Sequence, residues 1–122
     1  MPGMRGLTIL VATADLERFR AALSLACAHA ALGNPARVYC HEAAVTLLVP
    51  GNDPNDAALA GKGLASRAQL LAEARESGVT LIACQTGLAA AGIAFDMLAS
   101  GTEPGGLVSL LATLGDDRLV TL

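Results

Sequence analysis

Cys84 stands at the most informative position in this 122-residue chain. It follows the apolar run Val79–Ala83 and precedes a stretch of small residues that is typical of a helix. A helix N-terminus offers free backbone N–H groups and the positive end of the helix dipole, both of which favour a thiolate. Lowering a thiol pKa from near 8.5 to about 7 requires about 2 kcal/mol, which a helix N-terminus can supply. The position predicts a reactive thiolate, and an inert cysteine at a strand end is the alternative.

Cys40 and His41 form a second candidate site, since a thiol beside an imidazole could act as nucleophile and base. Adjacent residues of a strand point to opposite faces, so this pairing requires the strand to end at Cys40. A disulfide between Cys40 and Cys84 requires their strands to be neighbours, about 5 Å apart. The remaining cysteine, Cys27, lies on the apolar side of a predicted helix and is expected to be a small core residue.

Other motifs that would indicate a cofactor are missing from the sequence. The cysteines, histidines and acidic residues show no metal-ligand spacing. Gly61-Lys62-Gly63 lacks the flanking residues of a phosphate-binding loop, and no glycine fingerprint follows the first apolar run. We therefore expect neither a metal nor an organic cofactor.

The pattern of apolar runs and helical segments predicts how these residues are positioned. Buried strands are predicted at 6–13, 36–40, 79–83 and 118–122, and a poorly marked strand is expected just before the turn at 103–106. Helices are predicted after Asp15, or after Thr13 if the first helix begins earlier, and after Ser66. Further helices are predicted over 86–91 with Thr86 as the cap, and over 107–114. Alternating strands and helices predict an α/β fold, a three-layer α/β/α sandwich with a mostly parallel sheet of about five strands. Ligands of such sheets bind at the carboxyl ends of the strands, where Cys84, Cys40 and His41 are expected.

The sequence leaves the conformation of two segments undecided. Residues 42–48 are compatible with a short helix, whereas 45–49 could instead be extended. Residues 50–63 form a loop longer than packing requires, which favours a lid or contact surface, with a mobile surface loop as the alternative.

The composition of the chain excludes several classes of protein. The length favours one domain over residues 1–122, and 53% hydrophobic against 16% charged residues excludes a disordered chain. The mean hydropathy is +0.53. A net charge of −3 argues against nucleic-acid binding. No apolar stretch approaches the roughly 18 residues of a membrane span. Three cysteines, an odd number, fit reduced thiols, so we expect a cytoplasmic protein.

The segment Leu70–Gly92 (LLAEARESGVTLIACQTGLAAAG), followed by Ile93, resembles the DsrE/DsrF-like sulfur-relay family, which includes TusD-type subunits. The tail, with GGLVSLL at 105–111 and DRLVTL at 117–122, is similar to that family's last helix and strand. The likeness covers essentially the whole chain. It implies an α/β/α sandwich that assembles as a homo-oligomer (dimer, trimer or hexamer) or hetero-oligomer. It also implies a persulfide on Cys84 that passes from a sulfur-donor protein to a sulfur-acceptor protein, without a cofactor.

The resemblance assigns no role to Cys40, and two other functions stay open. Some members of the family lack the cysteine and serve as structural subunits, and the apolar composition fits buried subunit surfaces. The chain could therefore be a non-catalytic oligomer subunit or a small-ligand-binding module. A thiol redox protein that uses Cys40 and Cys84 is the third interpretation.

Overall fold

The structure, a computed structural model, describes residues 5–122 and contains a five-stranded parallel sheet. Its strands lie in the order β4-β3-β2-β1-β5. The strands are β1 (Leu7–Val11), β2 (Ala36–Cys40), β3 (Thr80–Cys84), β4 (Glu103–Gly105) and β5 (Arg118–Thr121). All four pairings are parallel, which confirms the predicted α/β fold.

Helices connect the strands. They are α1 (Leu16–Ala31), α2 (Asp56–Gly61), α3 (Arg67–Glu76), α4 (Gln85–Ala91) and α5 (Leu107–Ala112), with 3-10 helices at Glu42–Leu48 and Phe95–Met97. Within residues 5–122, every helix is too short or too polar to cross a lipid bilayer.

The strand order determines which helices share a face of the sheet. Strands β1, β2 and β3 follow one another in one direction, whereas the chain crosses back over the sheet from β4 to β5. Because crossovers between parallel strands are right-handed, α1 and α3 cover one face and α5 covers the other. Contacts between α1 and α3 agree with this arrangement.

Fully buried side chains fill the space between α1 and the sheet. Phe19 and Leu23 of this helix have no exposed surface, and neither do Ile9, Val11 and Val38 of the strands below them. Short β-branched and aliphatic side chains fill the parallel strands, as expected for strands buried on both faces.

Two of the predicted helix caps are confirmed. The Asp15 carboxylate accepts a hydrogen bond from the Arg18 N–H at 2.9 Å. Ser66 begins α3 with a capping box, in which the Ser66 side chain and the Gln69 side chain each bond the other residue's backbone N–H. The third predicted cap is wrong, because α4 begins at Gln85 and Cys84, rather than Thr86, is the capping residue.

Segment 42–48 is a 3-10 helix, which decides between the two predicted conformations. The long segment after it contains α2, so it is not a continuous loop. Arg67 of α3 contacts both the end of this 3-10 helix and the segment that follows it. Its guanidinium forms a two-point contact with the Asp53 carboxylate, at 2.9 and 3.0 Å, and also donates to the carbonyls of Leu47 and Val49. The C-terminal end of the 3-10 helix is thereby tied to α3.

Strand β4 occupies residues that the sequence assigns to a turn. It is three residues long, contains Pro104 and forms one edge of the sheet. Proline is tolerated in edge strands, where its missing N–H breaks no ladder bond. Because the segment is rich in Gly and Pro, its sequence shows no recognisable strand pattern.

Candidate functional site

Cys84 is the last residue of β3 and the N-cap of α4, with no loop between strand and helix. Its sulfur accepts a hydrogen bond from the backbone N–H of Gly87 at 3.4 Å. The residue is 5% exposed. The side chain thus lies at the carboxyl edge of the sheet, pointing at the free amides of the first turn of a helix.

Tyr39 of β2, Glu42 of the following 3-10 helix and Thr86 of α4 supply further donors to the same sulfur. The Tyr39 hydroxyl and the backbone N–H of Glu42 both lie near the Cys84 thiol, together with the N–H of Thr86. Tyr39 pairs with Ile82 in the β2–β3 register, so Tyr39 and Cys84 lie on the same face of the sheet. One hydroxyl and three amides therefore surround one sulfur atom.

These donors change the acidity of the thiol. Burial raises the pKa of Cys84, but the donors together outweigh it and hold the pKa below its ordinary value. The Tyr39 hydroxyl and the amides all stabilise the anionic sulfur. For Tyr39, burial raises the pKa, and the adjacent Cys84 raises it further, so the phenol stays protonated and can donate.

Glu42 has an unusual backbone conformation. With φ at 46°, it is the one non-glycine residue of the described chain in the left-handed region. That conformation costs an ordinary residue about 1–2 kcal/mol. It turns the chain from β2 into the 3-10 helix and so brings the Glu42 amide to Cys84.

Gly87 allows α4 to approach the 3-10 helix Glu42–Leu48 closely. A Cβ at this position would lie 2.4 Å from the Glu42 carbonyl oxygen and 2.8 Å from the Glu42 Cα. Any other residue would push the two elements apart and separate the amides that face Cys84.

An open groove of about 210 Å³ runs between the 3-10 helix and α4. Its walls are mostly small side chains from the two elements: Glu42, Ala43, Thr46, Thr86, Gly87, Ala90 and Ala91. Glu42, Thr86 and Gly87 also supply the amides near the Cys84 sulfur, so the groove lies beside the thiol.

A family model for the DsrE/DsrF-like family matches residues 6–122. The chain belongs to the DsrE/DsrF-like family. This family is associated with sulfur relay, and the match spans the whole described fold. No curated protein matches the sequence.

Two solved structures share the fold of this DsrE/DsrF-like protein. The YchN protein from E. coli is 27% identical and superposes with a TM-score of 0.75, covering 96% of this chain and 99% of YchN. MTH1491, a protein of unknown function from Methanobacterium thermoautotrophicum, is 15% identical with a TM-score of 0.73. That match covers 97% of this chain and 99% of MTH1491 and bears on the fold alone.

The second predicted pair, Cys40 and His41, is separated by the geometry of the DsrE/DsrF-like sheet. Cys40 is the last residue of β2 and has no exposed surface, and burial raises its pKa to about 12. The side chain of His41 is partly exposed, and its Nε2 lies 3.3 Å from the Glu42 carboxylate. The structure thus gives Cys40 neither access to solvent nor a stabilised thiolate.

Strands β2 and β3 are neighbours, which meets the spacing condition for a Cys40–Cys84 disulfide. Cys40 pairs with Ala83, however, so Cys84 lies one residue further along and on the opposite face. All three cysteines are free. The redox interpretation therefore has no geometric support in this DsrE/DsrF-like fold.

Among the residues that the structure describes, no three His, Cys, Asp or Glu side chains are grouped to hold a metal ion.

Sequence reasoning missed Tyr39, Glu42 and Gly87. Tyr39 had a detectable signal, because it is the only tyrosine of the chain and stands two residues before His41. Gly87 also had one, at the third position of the helix that Cys84 caps.

Proposed function

We propose that this protein carries sulfane sulfur as a persulfide on Cys84 and passes it to the thiol of a partner protein. One observation carries the proposal: the Cys84 sulfur caps a helix among four donors that hold its pKa below the ordinary value. A cysteine in thiolate form is the nucleophile that sulfur transfer requires. Membership of a family associated with sulfur relay supports the same conclusion.

The transfer consists of two displacements. The Cys84 thiolate attacks the outer sulfur of a donor persulfide, the donor S–S bond breaks, and the donor leaves as a thiolate. A new S–S bond now joins Cys84 to the outer sulfur. An acceptor thiolate then attacks that outer sulfur, and Cys84 is released as a thiolate. The sulfur moves at an unchanged oxidation level, so neither a metal nor a redox cofactor takes part.

The partners of this reaction are a sulfur-donor protein and a sulfur-acceptor protein. The groove beside α4, which is lined by residues that neighbour the Cys84 sulfur, is the proposed contact for the segment that carries the partner cysteine. We further propose that the protein works in the cytoplasm, where its three unpaired cysteines stay reduced.

A non-catalytic subunit or small-ligand-binding module of the same fold is the alternative function. The observation in its favour is the 5% exposure of Cys84, which limits access to the thiol. The two functions differ in one measurable property, the uptake of sulfur by Cys84.

The test is intact-mass analysis after incubation with a sulfane-sulfur donor such as polysulfide. We expect an added mass of about 32 Da on the native protein and on Cys27→Ser, which leaves the site unchanged. Cys84→Ser is expected to gain nothing. Absence of the adduct on the native protein would favour the non-catalytic function, and an adduct that persists in Cys84→Ser would contradict the assignment of Cys84.

A further inference from the structure

The Tyr39 hydroxyl is a buried donor that faces the Cys84 sulfur without forming a hydrogen bond of regular geometry. Tyr39 has no exposed surface, and among the described residues its hydroxyl oxygen has no hydrogen-bond partner of regular geometry. Buried hydroxyl groups of tyrosine are normally satisfied, so an unpaired one requires an explanation. The neighbouring polar atom is the sulfur of Cys84.

A neutral thiol is a weak acceptor, whereas a thiolate or a persulfide anion accepts strongly. The hydroxyl therefore gains a strong partner only when the sulfur is charged. The amides of Glu42 and Gly87 remain near the sulfur in either state, because backbone geometry fixes them. Tyr39 is the one side-chain donor among these groups.

We propose that Tyr39 is a positioning residue for sulfur transfer, whose hydroxyl donates to the anionic sulfur on Cys84 and holds it in place. The persulfide part of this inference rests on the proposed function, whereas the thiolate part does not. Tyr39 keeps its proton throughout, and the proton of Cys84 leaves to solvent.

Other titratable groups surround this pair. Cys40 and His41 flank Tyr39 along the chain, and the His41 ring centroid lies 6.2 Å from that of Tyr39. Glu42 carries a carboxylate close enough to affect Tyr39. Helix α4 has no titratable side chain, and β4 contributes Glu103 at the edge. His41 is the strongest competitor as the group that governs the thiol.

The first experiment measures the rate of Cys84 alkylation by iodoacetamide against pH, by peptide mass spectrometry on the full chain. In Tyr39→Phe we expect the midpoint to move to higher pH and the rate at pH 7 to fall roughly tenfold, since the variant lacks a hydrogen bond to a charged group. Thr8→Val, the matched control, removes another fully buried hydroxyl and leaves the profile unchanged. A native profile in Tyr39→Phe, or a shift seen instead in His41→Gln, would overturn the proposal.

Sulfur uptake separates this inference from the proposed function. If both hold, Tyr39→Phe takes up sulfur roughly tenfold more slowly at pH 7 and approaches the native rate at a pH where its thiolate is fully formed. Slow uptake at every pH would contradict a role through the thiolate. If the native protein takes up no sulfur but the alkylation midpoint still shifts in Tyr39→Phe, the proposed function fails and the thiolate role of Tyr39 stands.

A second measurement needs no substitution of Tyr39. Because the chain has one tyrosine, biosynthetic 3-fluorotyrosine labels Tyr39 alone. Its fluorine resonance is expected to shift with the titration of Cys84 in the native sequence and to lose that shift in Cys84→Ser. A fluorine resonance whose chemical shift does not change as Cys84 titrates would overturn the proposal even if Tyr39→Phe failed to fold.

Discussion

Cys40 and Cys84 end neighbouring strands, and their thiols differ in what surrounds them. Cys84 faces a hydroxyl and three amides, and its pKa lies below the ordinary value. Cys40 is covered by apolar side chains, and burial raises its pKa to about 12. A shift of one residue in register sends the two side chains to opposite faces, so only the thiol on the face with the donors has a lowered pKa.

The raised pKa of Cys40 predicts a loss of stability at alkaline pH. Above the ordinary thiol pKa of 9.0, the unfolded chain releases the Cys40 proton while the folded chain keeps it. The free energy of unfolding should therefore fall by up to about 1.4 kcal/mol per pH unit from pH 9 upwards. Cys84 opposes this slope only near pH 9, because its lowered pKa contributes stability that is lost as pH falls through 9 towards its folded value.

Urea unfolding between pH 8.5 and 10 measures this slope. Cys40→Ala should reduce it, even though the cavity lowers stability at every pH. Part of the slope near pH 10 should remain, because burial also raises the pKa of Tyr39. Cys27→Ala, which removes a half-buried thiol on α1, should keep most of it. An equal slope in Cys40→Ala and the native protein would contradict the prediction.

At the site, the sequence was sufficient to place Cys84 between a strand and a helix, because a cysteine between an apolar strand and a small-residue helix is a local pattern. The other donors depend on distant parts of the chain. Tyr39 reaches Cys84 through the register of β2 and β3, and the Glu42 amide reaches it through a positive φ. Neither the register nor that φ value can be recognised from the neighbouring residues in the sequence.

At the scale of elements, the contact between α4 and the 3-10 helix holds the site together. Gly87 lies against the Glu42 backbone with no room for a Cβ. Gly87→Ala should lower the free energy of unfolding by about 1–3 kcal/mol, since overpacking must move one element. It should also raise the pKa of Cys84, because the Glu42 amide moves away.

Gly61→Ala is the matched control, since a Cβ at Gly61, the last residue of α2, meets open space. It should leave both stability and the alkylation profile of Cys84 near native. Thermal unfolding and iodoacetamide kinetics measure the two effects. A Gly87→Ala protein with native stability and a native profile would show that the close approach is dispensable.

The elements that the sequence predicted well have strong local signals. Apolar runs marked β1, β2, β3 and β5, and side-chain caps marked the starts of α1 and α3. The 3-10 helix and α2 lack such signals, because residues 42–48 fit two conformations and residues 50–63 read as loop. Their positions depend on Arg67, whose contacts with Asp53 and the Leu47 carbonyl join segments far apart in sequence.

At the scale of the whole molecule, the two faces of the sheet are covered unequally. Helix α5 buries one side chain, Leu110, and is anchored by Arg37, which donates to Thr113 at 2.7 Å. Its outer side exposes Val108 at 84% and Leu111 at 56%. Exposed apolar residues on the outer side of a short helix favour a surface that is covered by another copy of the chain.

We expect the native protein to be a homo-oligomer and the double variant Val108→Asp/Leu111→Asp to be a monomer of about 12.3 kDa. Light scattering after size exclusion measures the mass. Leu32→Asp, which changes an equally exposed leucine just beyond α1, should keep the native mass. A monomeric native protein, or an oligomer that persists in the double variant, would contradict this use of α5.

The short edge strand β4 limits how copies of this molecule can join. A sheet grows across molecules when an edge presents a continuous row of free N–H and C=O groups. Pro104 interrupts that row at the centre of a three-residue strand, so the β4 edge is a poor template for another chain. Copies of the protein are therefore expected to join through helices while their sheets stay separate, a safeguard against strand-to-strand polymers in a chain this apolar.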